Sequence, residues 1–364
     1  MRHALVLAAV LACLSVGAAT AAGHGRHGKA AGKASTPNGY LVHNLVSDQG
    51  GKADHTDPNL VNAWGLTSLS GSPWWVADNG ADKTTVYDAA GNPFPSSGPI
   101  IVNVPSAPTG AVANAGSGFV VANGSASGAA TFLFATEEGK ILGWNRNVSP
   151  TQAVVAVDDT AAQAVFKGLT LSPDGSRLYA TDFHNARVDV FDSAFHTVTA
   201  PGAFVDPRIP GGYAPFGIQS VNGQILVTYA KQDAQRHDDV PGQGNGFVDA
   251  FDANGKLLTR VGTHGQLNSP WGLALAPSDF GRFSGDLLVG NFGDGRINAF
   301  AMRHGSFEPA GALRMGNGQR IVIDGLWSLQ FGHGAAVNGP TNTLFFTAGP
   351  DGEQHGLFGT IQAH

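Results

Sequence analysis

Short stretches in which apolar and polar residues alternate, parted by turn signals, fill most of this chain and recur in sets. The clearest set runs Gly168-Leu-Thr-Leu-Ser, the turn Pro173-Asp174-Gly175, then Arg177-Leu-Tyr-Ala-Thr181, a polar loop, and Arg187-Val-Asp-Val-Phe191. A period of two marks half-buried strands. Pro presets φ and Gly accepts positive φ, so Pro-Asp-Gly between two such runs predicts a hairpin. The set returns as Gly272-Leu-Ala-Leu, Asp286-Leu-Leu-Val-Gly-Asn291 and Arg296-Ile-Asn-Ala-Phe300, and again as Trp74-Trp-Val-Ala-Asp78 with Thr84-Thr-Val-Tyr-Asp88.

Each set opens on an apolar residue or Lys, then Gly, then an apolar residue. The copies are Trp64-Gly65-Leu66, Lys167-Gly168-Leu169, Phe216-Gly217-Ile218 and Trp271-Gly272-Leu273, with Asp324-Gly325-Leu326-Trp327 as a shifted copy. Their glycines stand 103, 49, 55 and 53 residues apart. The doubled first gap implies a degenerate copy, which Gly118-Phe119 supplies, followed by strands at Thr131-Phe-Leu-Phe-Ala-Thr136 and Lys140-Ile-Leu-Gly-Trp144. Six copies at this period predict an all-β, six-bladed β-propeller. The last set ends at Gly356-Leu-Phe-Gly-Thr-Ile361 and lacks a fourth strand, whereas Tyr40-Leu-Val-His-Asn-Leu-Val46 precedes the first set and has none to join. Pairing the two closes the ring and covers both exposed edges.

Composition fits this reading: 51 glycines and only 13% charged residues describe a turn-rich all-β chain. A net charge of −6 speaks against nucleic acid as a partner. Residues 1–21 read as a secretory signal, with a basic start at Arg2, an apolar run from Ala4 to Ala19, and small residues before the cleavage point at Ala21. Residues 22–38 are small and basic and read as a flexible linker, which leaves 39–364 as a single domain. The expectation is a secreted or periplasmic monomer without a transmembrane span. Cys13, the single cysteine, falls in the signal, so neither disulfides nor thiol catalysis is expected of the exported chain.

The order of Gly-apolar opening, hairpin, strand ending in Ala-Asp or Gly-Asn, polar loop and Arg-Val/Ile-x-x-Phe resembles the six-bladed propellers of the NHL-repeat and gluconolactonase-like group. More narrowly, Asn44-Leu-Val-Ser-Asp-Gln49 and Asp57-Pro-Asn-Leu-Val-Asn-Ala-Trp-Gly-Leu66 resemble a family of exported bacterial proteins to which no function is assigned. The resemblance implies the fold and the export over about residues 40–361. For the gluconolactonase-like group it also implies a metal held by acidic and amide side chains at the channel mouth.

In a propeller, the loops entering the innermost strands and those joining second to third strands open on one face, and the repeat sorts the polar residues onto it. Besides Asn62, Asn79, Lys167 and Glu353, this rim carries Asp78, Glu137, Asp182, Asn291 and Asp324, oxygen donors suited by position to a Ca or Mg ion. No cofactor is required by the pattern. Trp64, Trp271 and Trp327 are candidates for a stacking wall, with packing between blades as the structural alternative. The long loop after Tyr229 departs most from the repeat and brings Lys231, Asp233, His237 and Asp238 to the same face as further ligand-binding candidates. Three functions follow: binding of a small molecule, glycan or protein on the loop face; metal-dependent hydrolysis or lysis of a lactone, ester or sugar, with His184 or a rim carboxylate as base; or an extracellular scaffold.

Overall fold

The computed structural model describes residues 39–198 and 201–364; the expected signal at 1–21 and linker at 22–38 lie outside the described residues. Six antiparallel sheets follow one another along the chain. Blade 1 is built from Ala63–Thr67, Trp74–Asp78, Lys83–Tyr87 and Ile101–Asn103. Blade 2 contains Pro108–Ala113, Phe132–Thr136, Lys140–Trp144 and Val154–Asp158. Blade 3 has three strands, Phe166–Leu171, Arg177–Asp182 and Arg187–Asp192. Blade 4 runs from Tyr213 to Thr263 and blade 5 from Pro270 to Ala312, each with four strands. Blade 6 takes Leu326–Phe331, Thr343–Ala348 and Leu357–Ala363 and receives Tyr40–Ser47 as its fourth strand, with the two-residue strand His55–Thr56 parallel to it at the edge. The protein is a six-bladed β-propeller.

Ring closure follows the predicted pairing. Tyr40–Ser47 runs antiparallel to Leu357–Ala363, from Tyr40 opposite Ala363 to Ser47 opposite Leu357, with one bulge between Asn44 and Val46. Tyr40 also ties the strand to blade 5: its hydroxyl donates to the Phe280 carbonyl at 3.0 Å and its ring stacks on Phe283. Two short-range rules, edge coverage and aromatic packing, thus act on the same residues.

The repeat glycines explain why the blades sit so close around the axis. A Cβ at Gly65 would press on Thr109 O and Ala111 N, one at Gly168 would stand 2.9 Å from Phe216 O, and one at Gly272 would stand 2.5 Å from Trp327 O. Each glycine therefore packs against the backbone of the following blade, an approach no other side chain permits. Threonines on the second strands complete the contact: Thr181 Oγ1 donates to Phe216 O at 2.7 Å and accepts from Gly168 N, and Thr347 Oγ1 bonds Trp64 O and Ser328 N.

This contact corrects two of the sequence assignments. Blade 2 opens at Thr109-Gly110-Ala111 and not at Gly118-Phe119, because it is Gly110 whose absent Cβ admits Leu169 N and Gly168 C of blade 3. Gly118-Phe119 instead leads into an inserted hairpin, Val120–Asn123 with Ala126–Ala129, and Phe119 is buried beneath it. In blade 6 the repeat position is Ser328, preceded by Trp327; Gly325 lies in the entry loop at φ +64.

Two predictions follow from these contacts. Chains begun at residue 39 and at residue 48 should differ sharply in chemical denaturation, because the second loses buried Tyr40, Leu45 and Val46, at roughly 1.5–3 kcal/mol each; equal stability would contradict ring closure by this strand. Gly110→Ala should cost about 3 kcal/mol by overpacking against a fixed backbone, whereas a neutral effect would return the repeat position to Gly118.

Candidate functional site

In blades 1, 4, 5 and 6 the residue before the repeat position turns toward the axis, while in blade 2 it is Thr109, whose hydroxyl donates to Phe166 O of blade 3. Trp64 of blade 1 stacks on Trp327 of blade 6 with ring centroids 3.6 Å apart, and it meets Trp271 of blade 5 edge-on at 6.3 Å. Trp327 is covered on its far side by Phe292 at 4.0 Å and touches Phe216 of blade 4. Contacts between blades that are not neighbours can form only at the centre of the ring, so these rings plug the channel. Trp64, Trp271 and Trp327 are 2%, 8% and 1% exposed. They pack against one another at the centre of the ring, Trp64 and Trp271 each against Trp327 of the adjoining blade, and as a buried plug they offer no open face for stacking.

Blade 3 puts Lys167 at the same position. Its side chain is 1% exposed, and its Nζ lies 5.1 Å from the centre of the Trp64 ring. A buried ammonium needs counter-charge. Lys167 Nζ finds it at the mouth, bonding Glu137 Oε1 from the blade 2 loop and Asp238 Oδ1 from the long blade 4 loop, the latter at 3.3 Å. Burial alone would lower the lysine's affinity for its proton, but Glu137 and Asp238 outweigh it and raise its pKa. Burial likewise works against the charge of Asp238, and Lys167 and His237 outweigh it, holding that carboxyl below the usual range.

The network extends around the mouth. His237 Nδ1 lies 3.0 Å from Asp238 Oδ1, and Asn79 Nδ2 donates to Glu137 Oε2 at 3.0 Å. Asn62 Nδ2 donates to Asn79 Oδ1 at 3.0 Å and to Glu353 Oε2 at 2.7 Å, while its Oδ1 accepts the indole N–H of Trp327 at 3.1 Å. Burial, with the neighbouring Glu137 charge adding, pushes the Glu353 carboxyl above the ordinary range. Loops of blades 1, 2, 3, 4 and 6 thus meet in one polar layer directly above the aromatic plug. Among the described residues, Glu137, His237 and Asp238 form the one group of acidic and histidine side chains whose ligand atoms all lie within 4.8 Å of one another.

The other expected site residues are distributed elsewhere. Of the five oxygen donors, only Glu137 joins this layer. Asp182 is wholly buried and accepts from Val165 N, Asn185 N and Asn185 Nδ2 within its own blade's loops. Asn291 does the same work in blade 5, donating to Gln266 O and Asp294 Oδ1. Asp324 accepts from Asp351 N. Asp78 is wholly buried, and burial, together with the charge of Asp57, pushes its carboxyl well above the usual range. These four do not join the layer: Asp182, Asn291 and Asp324 are taken up by bonds within their own blades' loops, while both oxygens of Asp78 are sealed inside blade 1 without a partner among the described residues. His184 is half-buried beside Phe183, whose carbonyl accepts from Gln232 Nε2, and takes no part in the layer. Lys231 is exposed at a strand end, and Asp233 folds the long loop by accepting His237 N at 2.9 Å, so that it positions His237 and Asp238 from behind. Lys167, Asn62, Asn79 and Glu353 belong to the rim read from the sequence but not to its candidate ligand sets; the Lys that replaces an aromatic in the repeat is the signal that singles one of them out.

No family model matches the chain. Uncharacterized protein R648 of Acanthamoeba polyphaga mimivirus is 33% identical over 331 residues, covering 88% of this chain and 80% of that protein. Uncharacterized protein L690 of the same virus is 32% identical over 335 residues, covering 88% and 85%. The bacterial provenance implied by the motif resemblance finds no support in these relatives, which come from a giant virus. Among solved structures, a luciferin-regenerating enzyme superposes with a TM-score of 0.52 at 14% identity, covering 89% of this chain and 95% of that one. Virginiamycin B lyase from Staphylococcus aureus superposes with a TM-score of 0.51 at 12% identity, covering 89% and 99%. At such identities these likenesses speak for the fold alone. No helix among the described residues is long and apolar enough to cross a membrane. By its identity and coverage, the chain belongs to the family of six-bladed propellers that includes the mimivirus proteins R648 and L690.

Proposed function

We propose that the channel mouth binds a small, oxygen-rich ligand and that a divalent cation held by Glu137, His237 and Asp238 organises the site. The observation that carries this reading is the convergence of those three side chains within 4.8 Å on loops from different blades. An imidazole beside two carboxylates suits Mn²⁺ or Zn²⁺ as well as harder ions. Charge favours it too: Glu137 and Asp238 face one ammonium, that of Lys167, so the layer keeps an excess of negative charge even without Glu353. A bound cation would act as a Lewis acid toward a carbonyl or hydroxyl oxygen. The chain's own residues set the rest. Lys167 competes for two of the three ligands and so tunes affinity, Asn62 and Asn79 fix the carboxylates, and the plug keeps water from entering below.

One observation favours catalysis as a second reading. Glu353 stands across Asn62 from the trio with its carboxyl raised by burial, a suitable proton donor for opening a lactone or eliminating from an ester or sugar. Export to the periplasm or outside the cell belongs to the same proposal and rests on the apolar run from Ala4 to Ala19 behind Arg2.

Mn²⁺ should raise the melting temperature of the full chain, and chelation should reverse the rise; at a hundredfold excess over Kd the gain is about 2.7 kcal/mol. Glu137→Gln and His237→Ala should abolish the shift. No shift with Mn²⁺, Zn²⁺ or Ca²⁺ would overturn the cation site. For catalysis, Glu353→Gln should keep the Mn²⁺ shift while reducing hydrolysis of glucono-lactone by about a hundredfold; absence of hydrolysis by the unaltered protein would defeat that reading and leave the binding site standing.

The long loop also carries Asp239, whose carboxyl burial pushes up to about 6 from 3.8, with the Lys167 charge partly opposing. An acid raised in the folded state favours folding only while protonated, so its penalty is absent below about pH 4 and complete above about pH 6. Asp239→Asn should therefore stabilise the protein at pH 7 by about 1–2 kcal/mol and have no effect near pH 3.5, as read from denaturation at both values. A pH-independent difference would contradict the burial of that carboxyl.

A further inference from the structure

Away from the channel mouth, a groove of about 750 Å³ runs along the outer strand of blade 5, from the turn at Gly265 and Gln266 to the connection into blade 6. Four arginines line it, Arg282, Arg296, Arg314 and Arg320, against one carboxylate, Asp294. The chain as a whole is acidic, with a net charge of −6, so this concentration of guanidinium groups is local. Asp294 is 3.4 Å from Arg296 and accounts for that one charge. Among the described residues no ion pair involves Arg282, Arg314 or Arg320.

The backbone holds two of these charges together. Arg314 and Arg320 face each other directly across an antiparallel bridge, and the only bond of the Arg314 guanidinium is to the carbonyl of Gly318, at 2.8 Å. Like charges placed opposite one another across a bridge repel unless an anion lies between them. Arg282 is held over the face of the buried Phe283 ring, 5.3 Å from its centre, which keeps its guanidinium at the groove wall. The groove's volume falls within the usual span of small-molecule sites, and planar guanidinium forks match the paired oxygens of carboxylate and phosphate.

We propose that this groove binds a small molecule carrying at least two oxyanion groups, phosphate or carboxylate, one seated between Arg314 and Arg320 and another reached by Arg282. The net negative charge of the protein opposes association with long polyanions, so a compact ligand fits better than a nucleic acid or a polysaccharide chain. The site is separate from the channel mouth and does not depend on a cation there.

Isothermal titration of the full chain in metal-free, low-salt buffer tests it with two probes, inorganic pyrophosphate and citrate. One saturable site is expected for at least one probe: pyrophosphate alone points to a phosphorylated ligand, citrate alone to a polycarboxylate. Arg320→Gln should weaken binding about tenfold and Arg282→Gln with Arg320→Gln about a hundredfold, whereas Arg146→Gln, at an exposed site in blade 2, should change nothing. Because Arg320 is exposed at an isolated bridge, its single variant tests the site even if the double variant fails to fold. Failure of both probes to bind, or equal affinity in the Arg320→Gln variant, would overturn the proposal.

Discussion

The close backbone approach of each inner strand to the next is the constraint on which this structure depends. Where Gly65, Gly110, Gly168, Gly217 and Gly272 omit a Cβ, the following blade's backbone fills the space, and where blade 6 has Ser328 the same threonine contact persists through Thr347. With the glycine turned against the neighbour, the residue before it is left to face the axis, except at Thr109 of blade 2. A plug of Trp64, Phe216, Trp271 and Trp327 is the result, and at that same level in blade 3 the position is taken by Lys167.

One ammonium among indole rings sets the chemistry of the mouth. Its burial demands carboxylates, and it draws Glu137 from blade 2 and Asp238 from the long blade 4 loop into contact across the top of the plug. Those carboxylates in turn fix Asn79, Asn62, His237 and Glu353. The polar layer is thus a consequence of the packing below it, since the same inner-strand position that supplies apolar rings to four blades supplies the charge to the fifth.

The fold was largely legible because a propeller repeats its physical requirement: hairpin signals, a period of two and a recurring glycine all point one way. Legibility failed where the requirement was met by small residues. Thr109-Gly110-Ala111 carries no large apolar marker, while Gly118-Phe119 does, although its Phe fills an inserted hairpin. In the site, repeat position tells which loop a residue occupies and at what height, but not where its side chain turns. Asp78 and Asp182 end their second strands and Glu137 stands one place beyond its own, and all three read as rim oxygens, yet Asp182 caps its own loop, Asp78 is sealed within blade 1, and of the three only Glu137 reaches the lysine. The direction depends on counter-charge from another blade, which no single repeat contains.

The charge state of Lys167 tests this account most directly. Side-chain ¹⁵N NMR of the lysine ammonium groups, followed as pH rises past 10.5, separates the buried Nζ from the exposed ones. With Glu137 and Asp238 outweighing burial, Lys167 should keep its proton after the exposed lysines have lost theirs, and Glu137→Gln should bring its titration down. A Lys167 that deprotonates before the exposed lysines would mean that burial dominates and that the carboxylates do not hold the mouth together.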